Sequence, residues 1–258
     1  MTWCLTLEQL VFCTKPLQTS PCQGRLTGFP PDKGGLRGVG FSGFAALTPE
    51  QLCVGNGAPE LFLLQLPTLT DDRLAVQLAA ACSADRQERA DQYRLPDDRI
   101  RCLAAGWLLR HTVRATAGGD PVEGRTATGR PLLLNLPDLQ VSLAHSGCWI
   151  ACTLHRNQVG VDLELFHEPE PGVPELVMAP SELADYQALA DAAERKHRFC
   201  SIWTLKEAWL KALGTGLDRS PASFVVDNLD RTSLDQWCST STLLPDGSGL
   251  VSLFWRPV

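Results

Sequence analysis

The sequence predicts a mixed fold, α+β or α/β, on three observations. Residues 159–165 alternate as a strand does. Two long stretches, 97–115 and 192–213, read as helices. Strands precede and follow each of those helices in the same loose order. Taken along the chain, residues 1–57 are rich in Gly, Pro and Cys, with Pro30-Pro31 and Gly34-Gly35 as breakers. They are expected to form a weakly structured extension. Residues 58–157 are expected to begin with a strand and continue through a helix near 71–82 and the long helix near 97–115. Strands at 140–143 and 148–154 close this part. Residues 158–258 open with a strand at 158–165, pass through helices near 181–189 and 192–213, and finish in strands near 223–226 and 250–255.

Composition narrows the function classes. The 258 residues are 44% hydrophobic, enough for a sizeable core. Apolar runs such as 102–109 fall well short of the roughly 20 residues a bilayer requires, so no membrane span is expected. Residues 1–13 lack a basic start and carry Glu8, so a cytoplasmic location is expected. The ten cysteines are dispersed without a Cys-x-x-Cys and are read as thiols. A net charge of −6 argues against nucleic-acid partners, whose binding draws on a basic face. Arg86, Arg89, Arg94, Arg99 and Arg101 nevertheless gather positive charge ahead of and within the first long helix. Neither Gly-x-Ser-x-Gly nor a phosphate-binding Gly-x-x-x-x-Gly-Lys-Ser/Thr loop occurs.

The chemistry-bearing residues lie in two segments. Asp162 and Glu164, two apart on a strand, project from one face, and Val161 and Leu163 project from the other. Paired acids call for a cation or a shared proton, and magnesium-like ions take carboxylates together with water and substrate phosphates. Glu207, in Trp203-Thr204-Leu205-Lys206-Glu207-Ala208-Trp209-Leu210-Lys211, supplies a third acid. Each piece alone also fits an ordinary solvated strand edge or a Glu207–Lys211 surface pair.

Together, Val159-Gly160-Val161-Asp162 with Glu164, a spacer of about forty residues, and Trp-x-x-Lys-Glu-Ala-x-x-x-Lys resemble the signature blocks of the phosphopantetheinyl transferase superfamily. The likeness is to its larger, surfactin-synthetase-activator type branch. Gly129-Arg130-Pro131 resembles the family's Gly-Lys-Pro element, and Val141-Ser142-Leu143-Ala144-His145-Ser146 its His-Ser element, with Ser142 and Ala144 where the family usually has Asn and Ser. Gly214-Thr215-Gly216-Leu217 and Ser223-Phe224 resemble its downstream turn and strand start.

The resemblance implies an α+β fold of two pseudo-symmetric lobes, 58–157 and 158–258, each a small sheet packed on a long helix, with the active site between them. It implies transfer of the 4′-phosphopantetheine arm of coenzyme A to a serine of an acyl or peptidyl carrier protein by a monomer. Asp162, Glu164 and Glu207 are expected to hold Mg2+. Arg86, Arg89, Arg130 and His145 are expected to hold the phosphorylated adenosine end of coenzyme A, with Lys211 and Lys206 on its phosphates. Glu182, opening a helix, is the expected general base. Two alternatives stand beside this reading: a non-catalytic module that binds coenzyme A or a carrier, and a magnesium-dependent pyrophosphate hydrolase.

Overall fold

The computed structural model describes residues 50–52, 58–67, 72–214, 220–226 and 237–258, all within the compact unit Ala45–Val258. Two antiparallel sheets organise it. The first contains β1 (Glu50–Leu52), β2 (Glu60–Gln65), β5 (Gln140–Ser146) and β6 (Trp149–His155), ordered β1-β2-β6-β5. The second contains β7 (Val159–Leu165), β8 (Cys238–Leu243) and β9 (Gly249–Trp255), ordered β7-β9-β8. A separate hairpin pairs β3 (Glu123–Arg125) with β4 (Pro131–Leu133). The helices are α1 (Asp72–Ala81), α2 (Ala84–Asp91), α3 (Pro96–Ala117), α4 (Val173–Val177), α5 (Pro180–Ala188) and α6 (Ala192–Leu213).

The expected two-lobed α+β architecture is present, with an internal repeat that the sequence does not display. In each lobe an opening strand (β2 or β7) precedes a 22-residue helix (α3 or α6), and a closing hairpin sends its last strand to the sheet centre. Both long helices stop alike. Gly118 at φ 76° and Gly214 at φ 74° adopt the left-handed conformation that lets a backbone N–H turn back onto the last helical carbonyls. Pro96 with Asp97 and Asp98 starts α3, while the Asp191 side chain accepts from Glu194 N at 2.9 Å to start α6. All seven residues of the central strands β6 and β9 are buried, as covering both faces demands.

Odd-numbered residues of β2 and β7, among them Leu61, Leu63, Val161 and Leu163, share one apolar cluster with Trp149, Val251 and Leu253. The long helices cover the opposite faces. Phe62 meets His111 of α3 edge-on, and Phe254 packs with Ala208 and Trp209 of α6. Edge strands β5 and β7 join the sheets through serine hydroxyls. Ser142 Oγ accepts from Val161 N at 3.1 Å, and Ser146 Oγ from Leu165 N at 3.4 Å.

Local departures from the sequence reading have physical causes. Residues 223–226 are not a strand: Pro221–Ser223 forms a 3-10 turn, and buried side chains rather than a neighbouring strand bind the surrounding backbone. β8 carries no strand signal in the sequence because Cys-Ser-Thr-Ser-Thr-Leu is a half-buried edge without apolar alternation. The short, highly charged α2 lacks an apolar pattern in the same way, although Ser83 caps it. β1 pairs with β2 inside the segment expected to be weakly structured. Residues 215–217 of the expected Gly-x-Gly-Leu turn lie outside the described residues. Among the described residues Cys82, Cys102, Cys148, Cys152 and Cys200 are free thiols, and burial pushes the Cys152 and Cys200 thiols up to about 12. Among the described residues no helix is long and apolar enough to cross a membrane.

Candidate active site

The site begins with a missing side chain. A Cβ on Gly160 would run into the Ala208 carbonyl oxygen and stand 2.6 Å from Ala212 N, so only glycine lets the α6 backbone lie directly on β7. This contact brings the acidic face of β7 against the last turns of α6. Asp162 is buried there, and its Oδ1 accepts from Lys211 Nζ at 2.5 Å. Its Oδ2 and the Oε1 of Glu207 are buried without a hydrogen-bond partner. Glu164 Oε1 accepts from Ser146 Oγ at 2.6 Å and faces His167 Nε2 at 3.7 Å.

Burial pushes the Asp162 carboxyl up from 3.8 to about 6. Lys211 opposes the rise, and the charges of Glu207 and Glu164 add to it. The three acids therefore share one electrostatic neighbourhood. Among the described residues no three His, Cys, Asp or Glu side chains stand as a ready metal cluster; Lys211 engages Asp162, and Ser146 engages Glu164. Two unpaired, buried carboxylate oxygens nevertheless suit a hard divalent cation, which takes oxygen ligands.

Beside this face lies a cavity of about 320 Å³. Its walls carry Arg86 and Arg89 of α2, Arg125 and Arg130 of the β3–β4 hairpin, His145 of β5 and Lys211 of α6. The structure thus gathers five of the residues expected to contact coenzyme A. Arg86 is buried and ion-paired with Glu123, its stem fitting where Gly106 leaves α3 bare. Arg89 directs Nε and Nη2 at Cys102 Sγ, 3.5 Å away. Arg130 Nη2 donates to Gln140 Oε1 at 3.1 Å, and its guanidinium stands over Gly214. Loss of solvent, then the charges of Lys211 and Arg101, hold the His145 imidazole below its ordinary value. Such a cluster of cations in a concave wall is suited to phosphates.

Two expected site residues are elsewhere. Glu182 and Lys206 form a sealed ion pair with Nζ–Oε2 2.5 Å, and Lys206 is fully buried. Lys206 Nζ also donates to the carbonyls of Val177, Pro221 and Phe224 at 2.8 to 2.9 Å. Glu182 accepts from Ala179 N at 2.8 Å and Val226 N at 2.7 Å. Both side chains are saturated, and neither lines the cavity where the sequence led us to expect them. Conversely, Arg125, Ser142 and Ser146 stand at the site without a place among the expected site residues. The i,i+4 serines that project together from β5 were the available signal.

Residues 158–242 match the 4′-phosphopantetheinyl transferase superfamily. A 4′-phosphopantetheinyl transferase of Bacillus subtilis is 29% identical over 174 residues, 66% of this chain and 75% of that protein. The 4′-phosphopantetheinyl transferase Sfp of Bacillus subtilis strain 168 is 26% identical over 147 residues, 56% of this chain and 65% of its own. A phosphopantetheinyl transferase of a Thraustochytrium species is 32% identical over 178 residues, 60% of this chain and 61% of its own.

Proposed function

Because the chain belongs to the 4′-phosphopantetheinyl transferase superfamily, in its Sfp-like branch, we propose that its cavity binds coenzyme A and that the β7–α6 junction is where the pyrophosphate is cleaved. The enzyme transfers the 4′-phosphopantetheine arm to a serine of an apo carrier protein. The serine oxygen bonds to the β-phosphorus and gives up its hydroxyl proton to solvent, the pyrophosphate P–O bond breaks, and adenosine 3′,5′-bisphosphate leaves. One observation carries the assignment of positions: Lys211 lines the cationic cavity while touching Asp162 of the acidic face, so phosphate-binding and cation-binding groups adjoin.

Within that site Arg86, Arg89, Arg130 and His145 would hold the phosphorylated adenosine end, and Lys211 the pyrophosphate. Asp162, Glu164 and Glu207 would hold Mg2+, which when bound neutralises charge on the pyrophosphate. Arg125, exposed on the hairpin, adds a further cation to the same wall. Glu182 is not proposed as the base, because Lys206 and two backbone N–H groups occupy its oxygens. Both halves of the cleft come from one chain, which supports a monomer, and we place its work in the cytoplasm.

Intact-mass spectrometry of an apo carrier incubated with the protein, coenzyme A and Mg2+ tests the reading. A phosphopantetheine mass gain is expected, absent with a carrier lacking its serine. It should be reduced by about 100-fold or more in rate with Glu207→Ala or Asp162→Asn, the scale of losing a key electrostatic group. Full activity in either variant sinks the cation assignment. Coenzyme A binding without transfer to any carrier favours a binding module, and carrier-independent release of adenosine 3′,5′-bisphosphate a hydrolase.

A further inference from the structure

We propose that Lys211 is an exchangeable plug shared by the acidic face and the basic cavity, so that cation and phosphate binding are coupled through one ammonium group. This rests on the reading of Asp162 and Glu207 as cation ligands. The Lys211 side chain is one-third exposed and sits on the boundary, with Nζ 2.5 Å from Asp162 Oδ1 while the residue also lines the cavity. Asp162 Oδ2, on the same carboxylate, and Glu207 Oε1, whose residue is near enough for its charge to act on Asp162, lie buried without hydrogen-bond partners.

An ammonium neutralises Asp162 when no cation is present. A divalent ion drawn to Asp162 and Glu207 meets that positive charge and must displace it. The four-carbon stem gives the displaced group a second position in the cavity, where phosphate oxygens accept its three N–H donors. In the other direction, a phosphate that draws Lys211 away leaves a buried carboxylate without a counter-charge, which then favours a cation. Linkage requires each ligand to tighten the other by the same factor. Lys206, five residues earlier on α6, shows the contrast: four oxygens hold its ammonium in a sealed site, and it has no second position.

The test is binding of Mn2+ alone to the full chain at pH 8, where Asp162 is ionised, followed through the electron paramagnetic resonance of the free ion. Lys211→Met should tighten Mn2+ binding on the order of tenfold, within the usual range of coupling between sites. Lys211→Arg, whose planar fork can reach both Asp162 oxygens, should weaken it. Adenosine 3′,5′-bisphosphate should tighten Mn2+ several-fold more in the wild type than in Lys211→Met. A merely structural ion pair, or a lysine that serves only phosphate, would not produce these opposite shifts. Unchanged or weaker Mn2+ binding in Lys211→Met, with Glu207→Gln abolishing it, overturns the plug and leaves the cation site standing. Mn2+ binding untouched by Glu207→Gln overturns both. Should the methionine variant fail to fold, wild-type Mn2+ affinity in Lys211→Arg overturns the plug by itself.

Discussion

Asp162 is the residue on which burial, charge and chemistry meet. Its carboxyl is raised from 3.8 to about 6, so between those values the folded protein holds a proton that the unfolded chain has released. The resulting stabilisation is complete below pH 3.8 and is lost as pH rises through about 6. It is on the order of 2–3 kcal/mol for a shift of this size. Urea midpoints of the cation-free protein between pH 4 and 7 should therefore fall more steeply with rising pH than those of Asp162→Asn. Parallel curves would show that Asp162 is not the group responsible. His145 carries the complementary effect. Held below its ordinary value by burial in the free protein, it becomes easier to protonate beside a phosphate, which fits a role on the anionic side of the cleft.

At the scale of elements, the Glu182–Lys206 pair ties α5, α6 and residues 220–226 together. Each partner satisfies backbone groups that no strand or helix reaches. Lys206→Met strands Glu182 as an uncompensated buried charge and should destabilise by about 3–5 kcal/mol, while Lys206→Met with Glu182→Leu should recover much of that loss. The double variant, assayed well below its melting temperature, should keep transfer activity within about tenfold of wild type, a change of roughly 1.4 kcal/mol in barrier. Loss of activity from a folded double variant would restore Glu182 as a candidate base. Lys-Glu-Ala spacing placed Lys206 on α6 but could not distinguish its inward direction from that of Lys211. Side-chain direction depends on what packs against each helical face, and here α5 meets one face while the cavity meets another. Gly160 was legible as part of a motif, but its physical task, admitting the α6 backbone, appears only when the helix is in place.

For the molecule as a whole, the two lobes repeat one plan and join along β5 and β7 through Ser142 and Ser146. Ser142→Ala leaves the Val161 N–H buried without an acceptor and should cost about 1–3 kcal/mol. It should also lower transfer, because the displaced strand is the one that carries Asp162. Thermal melts and carrier assays on the same preparation check both, and unchanged values in each would show that the junction does not position the acids. The sequence by itself determined the α+β class, the long helices, the opening strand of each lobe and the acidic and basic residues, because periodicity, caps and side-chain charge are local properties. Tertiary structure alone decided which of those charges meet. It drew Arg86, Arg89, Arg130, His145 and Lys211 from four elements into one cavity and sealed Lys206 against Glu182. The physical reason is that burial and the pairing of charges depend on neighbours distant in the chain, whose positions follow from packing two sheets and two helices together.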